Sequence, residues 1–358
     1  MSVDEILAQA GACVRTGQTL EQQGTLEAFS EAVKRYDEAR SLVRALPLET
    51  ERVRMALAIA SMNRGNALQK QNTPLSLETA VSAYDEAIAL LRSLSIDRNA
   101  TDRNVLGAAW MNRGHALLAR GESTSIKDSL ESFREAIAVL KTLPLHDSIS
   151  FRVNLAAAWM NEANALMKVQ DSVAAIASAQ SAMAVTIEAE KREPIFADIG
   201  LKARRVACEA LGHRLYVASQ RGESTKEIGD QAIDLVDEGL ALTRHWESKG
   251  EQQFRYIAVR LFHFGAQLYA VQLPDFLAEF ILEHIDPELS VGAMADTEEF
   301  YLIASDIIAR ARKDLETRRA AFLDTPETAR LLQRFRALRD AGLRLDELRA
   351  RHLGARSV

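Results

Sequence analysis

The 358-residue chain carries 44 Lys and Arg against 50 Asp and Glu, a formal net charge of −6, with 47% apolar residues. That balance argues against a general nucleic-acid coat, although it leaves room for a local basic patch, and the apolar fraction suffices for a sizeable core. Its two cysteines, Cys13 and Cys208, are too isolated for a disulfide framework or a zinc site and read as small buried hydrophobes in a reducing compartment.

The opening Met-Ser-Val-Asp-Glu-Ile-Leu has no basic stretch followed by an apolar core, so no signal peptide is expected. No uncharged run approaches the roughly 18 apolar residues of a spanning helix. A cytoplasmic protein without membrane association is the expectation. Alanine and leucine dominate the apolar set, and seven prolines leave room for long helices.

In chain order, the first recognisable unit has Gly17 and Leu20, then Ala32, Tyr36 and Ala39. The next three units open on near copies: Met62-Asn63-Arg64-Gly65-Asn66-Ala67-Leu68, Met111-Asn112-Arg113-Gly114-His115-Ala116-Leu117 and Met160-Asn161-Glu162-Ala163-Asn164-Ala165-Leu166, each 49 residues after the last. A second motif follows each: Ala80, Tyr84, Ala87; then Ser129, Phe133, Ala136; then Ala175, Ala179, Ala182. Spacings of four and three place such residues on one helix face. A fifth unit has Gly212, Leu215, Ala232, Val236 and Gly239, and a weak sixth lies around Gly265 and Leu268.

A fixed period of this size marks a stacked array. Each unit reads as two helices, the first offering a small residue where the second brings its small-large-small stripe close. Less two turns, the period leaves roughly 20 residues, about 30 Å, per helix. Thr73-Pro74 and Thr325-Pro326-Glu327 read as caps before a first-turn proline. Arg120-Gly-Glu-Ser-Thr124 recurs at 221–225, where Ser224 and Glu227 have capping-box spacing.

Residues 246–285 are richer in aromatics, including Phe254, Tyr256, Phe262, Phe264, Tyr269, Phe276 and Phe280, as expected of a cap or a docking surface. A loop near 286–297 and two helices follow. The last helix carries Arg330, Arg334, Arg336, Arg339, Arg344, Arg349, Arg351 and Arg356, interleaved with leucines. Its amphipathic pattern suits a capping helix with a basic outer face, an acidic protein partner, or phosphate of RNA or DNA.

Ala109-Trp110-Met111-Asn112-Arg113-Gly114-His115-Ala116-Leu117 resembles the first helix of the tetratricopeptide repeat, with Trp four residues before the glycine; Trp159 holds the matching place and Ser61 replaces it in the earlier copy. The Ala80, Tyr84, Ala87 stripe resembles that family's second helix. The match is close over residues 1–190 and looser over 200–245. The chain departs from the family in its period, about 49 rather than 34 residues, and in placing Arg64, Arg113 and Glu162 where Leu usually precedes the small residue.

The resemblance implies an all-α fold, an α-solenoid of stacked antiparallel hairpins in a right-handed superhelix. Four hairpins would span 1–190, two degenerate ones 191–285, and C-terminal capping helices 286–358. It also implies a concave groove lined by the first helices, with Asn63, Asn112 and Asn161 pointing into it. An amide donates and accepts, as an extended peptide backbone requires; the alternative is a residue that bonds one repeat to the next. Asn66, His115 and Asn164 lie one turn on along the same face. Met62, Met111 and Met160 suit either a groove accepting varied apolar side chains or core packing. Arg64 and Arg113 are candidates for anion capture or for salt bridges to a neighbouring helix, and Trp110 and Trp159 read as packing residues.

No pair of histidines has the helical spacing of a metal site, and no phosphate loop, G-x-S-x-G elbow or HExxH motif occurs. The expectation is therefore a scaffold or adaptor without catalysis, cofactor or metal, holding a protein or peptide in the groove of residues 1–245. The alternative is a nucleic-acid-associated factor using the C-terminal arginines.

Overall fold

The computed structural model describes residues 1–94, 99–285, 298–319 and 326–355. Among them are fourteen α-helices and no strand. The chain divides into two compact units, Met1–Thr186 and Ile187–Val358. The expected loop at 286–297, the cap at Thr325 and Arg356 lie outside the described residues.

The first unit holds α1 (Val3–Glu21), α2 (Leu26–Arg44), α3 (Glu51–Gln71), α4 (Pro74–Arg92), α5 (Ala100–Arg120), α6 (Ser123–Leu140), α7 (Ile149–Lys168) and α8 (Ser172–Thr186). The first seven run 18–21 residues, close to the length the repeat period allows; α8 has 15. Their starts are locally encoded. Thr73 accepts from the Ser76 amide and Ser76 from the Thr73 amide, a reciprocal cap with Pro74 in the first turn. Gly121 ends α5 at φ +74°, a left-handed conformation that costs glycine little.

Successive helices pack as neighbours, so α1–α2, α3–α4, α5–α6 and α7–α8 are hairpins. Gly17, Gly65 and Gly114 lie directly under Tyr36, Tyr84 and Phe133; a Cβ on any of them would come within 2.6 Å of the ring. Those rings are fully buried. In the fourth hairpin both places are alanine, Ala163 and Ala179, and both are fully buried.

Each phenol needs a partner once desolvated. Tyr36 donates to Glu21 at 2.5 Å, and Tyr84 donates to Asn66 at 2.8 Å and Gln69 at 3.1 Å. Glu21 and Gln69 each stand four residues after their glycine; where the ring is Phe133, which has no hydroxyl, that position is Leu118. Burial, together with Glu21, holds the Tyr36 hydroxyl far above its ordinary pKa.

Between hairpins the core is shared. Val43 of α2 clusters with Leu57 of α3, Leu91 of α4 with Leu106 of α5, and Leu140 of α6 with Leu155 of α7. A single hairpin would leave these faces in water; the stack buries them, at about 1.5–3 kcal/mol for each large aliphatic chain. The backbones of the first helices also approach one another across hairpins, α1 with α3, α3 with α5 and α5 with α7, whereas the second helices meet through long side chains, Arg40 of α2 with Glu86 of α4 and Arg92 of α4 with Glu135 of α6.

The second unit holds α9 (Pro194–Gln220), α10 (Lys226–Glu247), α11 (Arg255–Gln272), α12 (Leu277–Ile285), α13 (Glu298–Arg319) and α14 (Pro326–Ala355). Here the expected fifth hairpin differs. Gly212 lies beneath Phe264 of α11 rather than Val236, and Val236 instead approaches Gly265. The 27-residue α9 is longer than the first helices of the repeats, and Phe264 supplies the ring that α10 lacks. The Ser224–Glu227 box does not form either. Thr225 takes the cap place at φ −99°, ψ −6°, not the extended backbone a side-chain cap needs, and its hydroxyl instead accepts from Gln272.

Arg204 and Glu190, each 4% exposed, pair at 3.0 Å in the interior of this unit, and Trp246 donates to the Glu190 carbonyl at 2.8 Å. The pair fixes the 187–193 turn against α9 and α10. Along α14, Leu338, Ala341, Leu345 and Leu348 are buried.

Candidate functional site

The near-copies lie midway along α3, α5 and α7, and their polar residues meet across adjacent first helices. Asn112 of α5 donates to Asn66 of α3 at 3.0 Å. One repeat on, the Asn161 amide of α7 stands 2.7 Å from His115 Nε2. At both of these interfaces the residue two before the small position bonds the residue just after it in the preceding unit, because stacking in register by one period brings those places together. A further rung, Asn154 donating to Asn104 at 2.9 Å, extends the row.

Asn63 and Asn66 are half-buried, as are Asn112, His115 and Asn164, whereas Asn161 is only 4% exposed. Asn164 turns back on its own helix, donating to the Met160 carbonyl at 3.1 Å. His115 lies edge-on to Phe133. Burial pushes its pKa down, which keeps the ring neutral and its Nε2 an acceptor for Asn161. The Asn66 oxygen already accepts from both Tyr84 and Asn112, so what that amide has left to offer a partner is its two donors.

The methionines divide. Met111, 7% exposed, belongs to the core between α5 and α7, and half-buried Met62 packs on the core between α3 and α5. Met160 is half-buried beside the Asn164 amide. Arg92 and Arg113 both lie over the Trp110 ring, and Lys141 lies over Trp159.

Arg64 and Arg113 are held by carboxylates. Arg64 Nε donates to Asp37 at 2.7 Å, and Arg113 Nε donates to Asp85 at 2.7 Å with a further bond to Ser132. In the next unit the signs exchange: Arg134 donates to Glu162 at 3.0 Å. Asp37, Asp85 and Arg134 each follow the large residue of their second helix, 27 or 28 residues before their partner. The charged residues in the place of the family's leucine are therefore one half of an ion pair repeated between units. A salt bridge to a neighbouring helix was one of the two sequence readings of Arg64 and Arg113, and the structure shows that one; the partners Asp37 and Asp85 and the exchanged sign at Glu162 were not read, and looking for alternating sign at that spacing would have found them. A denser relative of the same contact joins Arg40, Arg44 and Ser61 to Glu86. Burial raises the Glu86 pKa, but bonds from Arg44, Arg40 and Ser61 overcome it and hold the carboxyl below the usual range.

In α14, Arg330 and Arg334 pair with Asp275, Arg339 with Asp340 and Arg344 with Glu347. Among the described residues no group of three His, Cys, Asp or Glu is placed to hold a metal ion, and no helix is long and apolar enough to cross a membrane. Burial first, then Glu209, pushes the Cys208 thiol up to about 12, which makes it a poor nucleophile.

No protein-family model matches the chain, and no curated protein is similar enough to count as a match.

Proposed function

We propose that the chain is a non-enzymatic scaffold or adaptor of the cytoplasm, a tetratricopeptide-like α-solenoid that holds an extended peptide or a helix of a partner protein. The observation that carries this reading is that the backbones of α1, α3, α5 and α7 approach one another more closely than those of the second helices, which meet through long side chains such as Arg40 with Glu86 and Arg92 with Glu135. Stacked hairpins with that asymmetry bend towards the first helices, which then line the inner side. That side presents Asn63, Asn66, Asn112 and His115 as half-buried hydrogen-bonding groups, with Ile59 exposed beside them. Bonds between repeats hold the Asn66, Asn112 and His115 side chains in place, so little entropy is lost when a partner uses their remaining valences. The pairing of four α14 arginines with carboxylates favours a structural role for that helix over phosphate binding.

Photo-cross-linking tests the reading. Benzoylphenylalanine at Asn63 or Asn112 should capture a partner protein from lysate, and the same group at Glu131, exposed on α6, should not. Capture from Glu131 with none from the first helices would remove the groove as the binding site.

A further inference from the structure

The bonds between repeats leave two equivalent positions, 66 and 115, with donors only. Asn66 Oδ1 accepts from Tyr84 at 2.8 Å and from Asn112 at 3.0 Å, which uses both of its lone pairs and leaves the two N–H bonds of Nδ2. His115 Nε2 accepts from Asn161 at 2.7 Å, so the proton of this neutral ring sits on Nδ1. Among the described residues no bond uses Asn66 Nδ2 or His115 Nδ1, and neither atom is sealed off from solvent. The two positions are one period apart in the chain and one step apart in the stack: Asn112, one turn before His115 on α5, is the residue that bonds Asn66.

The face around these donors carries no charge. Ile59, Asn63 and Asn66 share a side of α3 by spacings of four and three, and Ala108, Asn112 and His115 share the matching side of α5. Arg64 and Arg113, next to this face in sequence, are held by Asp37 and Asp85.

Two donors one step apart match two acceptors at the same interval. The α3 and α5 backbones come within 8 Å of each other, and packed helices lie about 8–10 Å apart axis to axis, so one step is about 9 Å. An α-helix offers no such acceptors along its length, because its carbonyls are bonded internally. A β-strand turns a carbonyl to the same side every two residues, about 7 Å. Polyproline II repeats every three residues at about 3.1 Å each, a turn of about 9 Å, and all its carbonyls are free. Proline favours that conformation and has no N–H, so it brings acceptors alone to a row of donors.

We propose, on the reading that the first-helix row is the partner site, that the segment held across α3 and α5 is a proline-rich stretch in the polyproline II conformation. Carbonyls three residues apart accept from Asn66 Nδ2 and His115 Nδ1.

Titration of fluorescein-labelled decaproline with the full chain, followed by anisotropy, tests this. Decaproline should bind about tenfold or more tightly than an equally long glycine–serine peptide, which has the carbonyls but not the conformation. Asn66→Asp keeps an acceptor for Tyr84 and Asn112 and removes both donors, so it should weaken binding about tenfold or more. Benzoylphenylalanine at Asn63 should cross-link to decaproline and the same group at Glu131 should not, which reads the site even if Asn66→Asp does not fold. The proposal falls if decaproline does not bind at millimolar concentration, if it binds no more tightly than the glycine–serine peptide, or if the folded Asn66→Asp variant binds it as well as the native chain does. Any of these results leaves the groove standing as the partner site so long as Asn63 or Asn112 still captures a partner protein; no capture from the first helices removes both.

Discussion

The third and fourth hairpins make the same two contacts from different residues. In α5–α6 the first helix gives up its side chain, Gly114, to admit Phe133; in α7–α8 both places are alanine. Between hairpins, Arg113 meets Asp85, whereas Glu162 meets Arg134 with the signs exchanged. What the two hairpins share is a neutral pair whose members exchange places, not a volume: Ala163 and Ala179 together are smaller than Gly114 and Phe133, yet both are fully buried, so neighbouring side chains close the fourth hairpin where the ring closes the third. The charge at the contact between repeats is a sum held by two positions, so either can drift while its partner follows.

The largest effect should come from forcing one hairpin towards the other. Phe133→Ala should cost about 3–5 kcal/mol, because the buried ring leaves a cavity. Gly114→Ala alone should cost about 1–3 kcal/mol, since its methyl would press on the ring. In the Phe133→Ala background the same Gly114→Ala change should become stabilising, by filling space and by the higher helix propensity of alanine, about 1 kcal/mol. Urea titration of the four proteins gives the cycle. If Gly114→Ala has the same sign in both backgrounds, Phe133 is not what sets glycine at that place.

The second unit extends the comparison to buried polar groups. In the first unit neutral His115 has Asn161 as its donor; in the second, His284 has none at Nε2 among the described residues. Burial pushes the His284 pKa down to about 4, with a smaller lowering by Arg244 and a partial offset from the Phe280 carbonyl. The unfolded chain therefore binds a proton that the folded one refuses. The stabilisation is complete above pH about 6.5 and is lost as pH falls towards about 4, a total near 3 kcal/mol. His284→Phe should flatten much of that slope in urea titrations at pH 7 and pH 4, leaving the parts due to His115 and to carboxyls held below their usual range, such as Glu86. An unchanged slope would place the proton elsewhere.

The all-helical fold and the hairpin register of residues 1–186 were legible because each glycine, its stripe and its period are local patterns repeated in one chain. The row Asn63, Asn112, Asn161 was legible as a row, with bonding between repeats as one of its two readings, but the partners were not: Asn112 reaches Asn66, and Asn161 reaches His115, contacts that depend on how one hairpin is stepped against the next. The fifth unit was misread because Gly212, Val236 and Gly265 look like repeat marks in sequence while Phe264 and Phe280 decide what covers each glycine. His284 Nε2 and Arg244 Nη1 gave no signal in sequence, since it is the packing of α10, α11 and α12 that buries both atoms without a partner among the described residues.

Two asparagines at equivalent positions should respond unequally. Asn161→Ala takes the donor from the buried His115 acceptor and should cost about 1–3 kcal/mol. Asn112→Ala should cost less than about 1 kcal/mol, because the Asn66 oxygen keeps its bond from Tyr84. Equal losses in thermal or urea unfolding would mean that the rungs contribute as a row and not through the group each leaves unsatisfied.

The smallest effect isolates the exchanged charges. Arg113→Glu sets two carboxylates opposite each other, since Asp85 is the partner of Arg113. The Asp85 side chain is 52% exposed, so solvent screens the repulsion and the loss should be about 1 kcal/mol, shrinking in high salt. Adding Asp85→Arg recreates the Glu162–Arg134 arrangement of the next interface and should recover most of that loss. Recovery that survives molar salt would point to packing of the long arginine stem, and no recovery would mean that the sign exchange between the two interfaces is not an interchangeable solution to one contact.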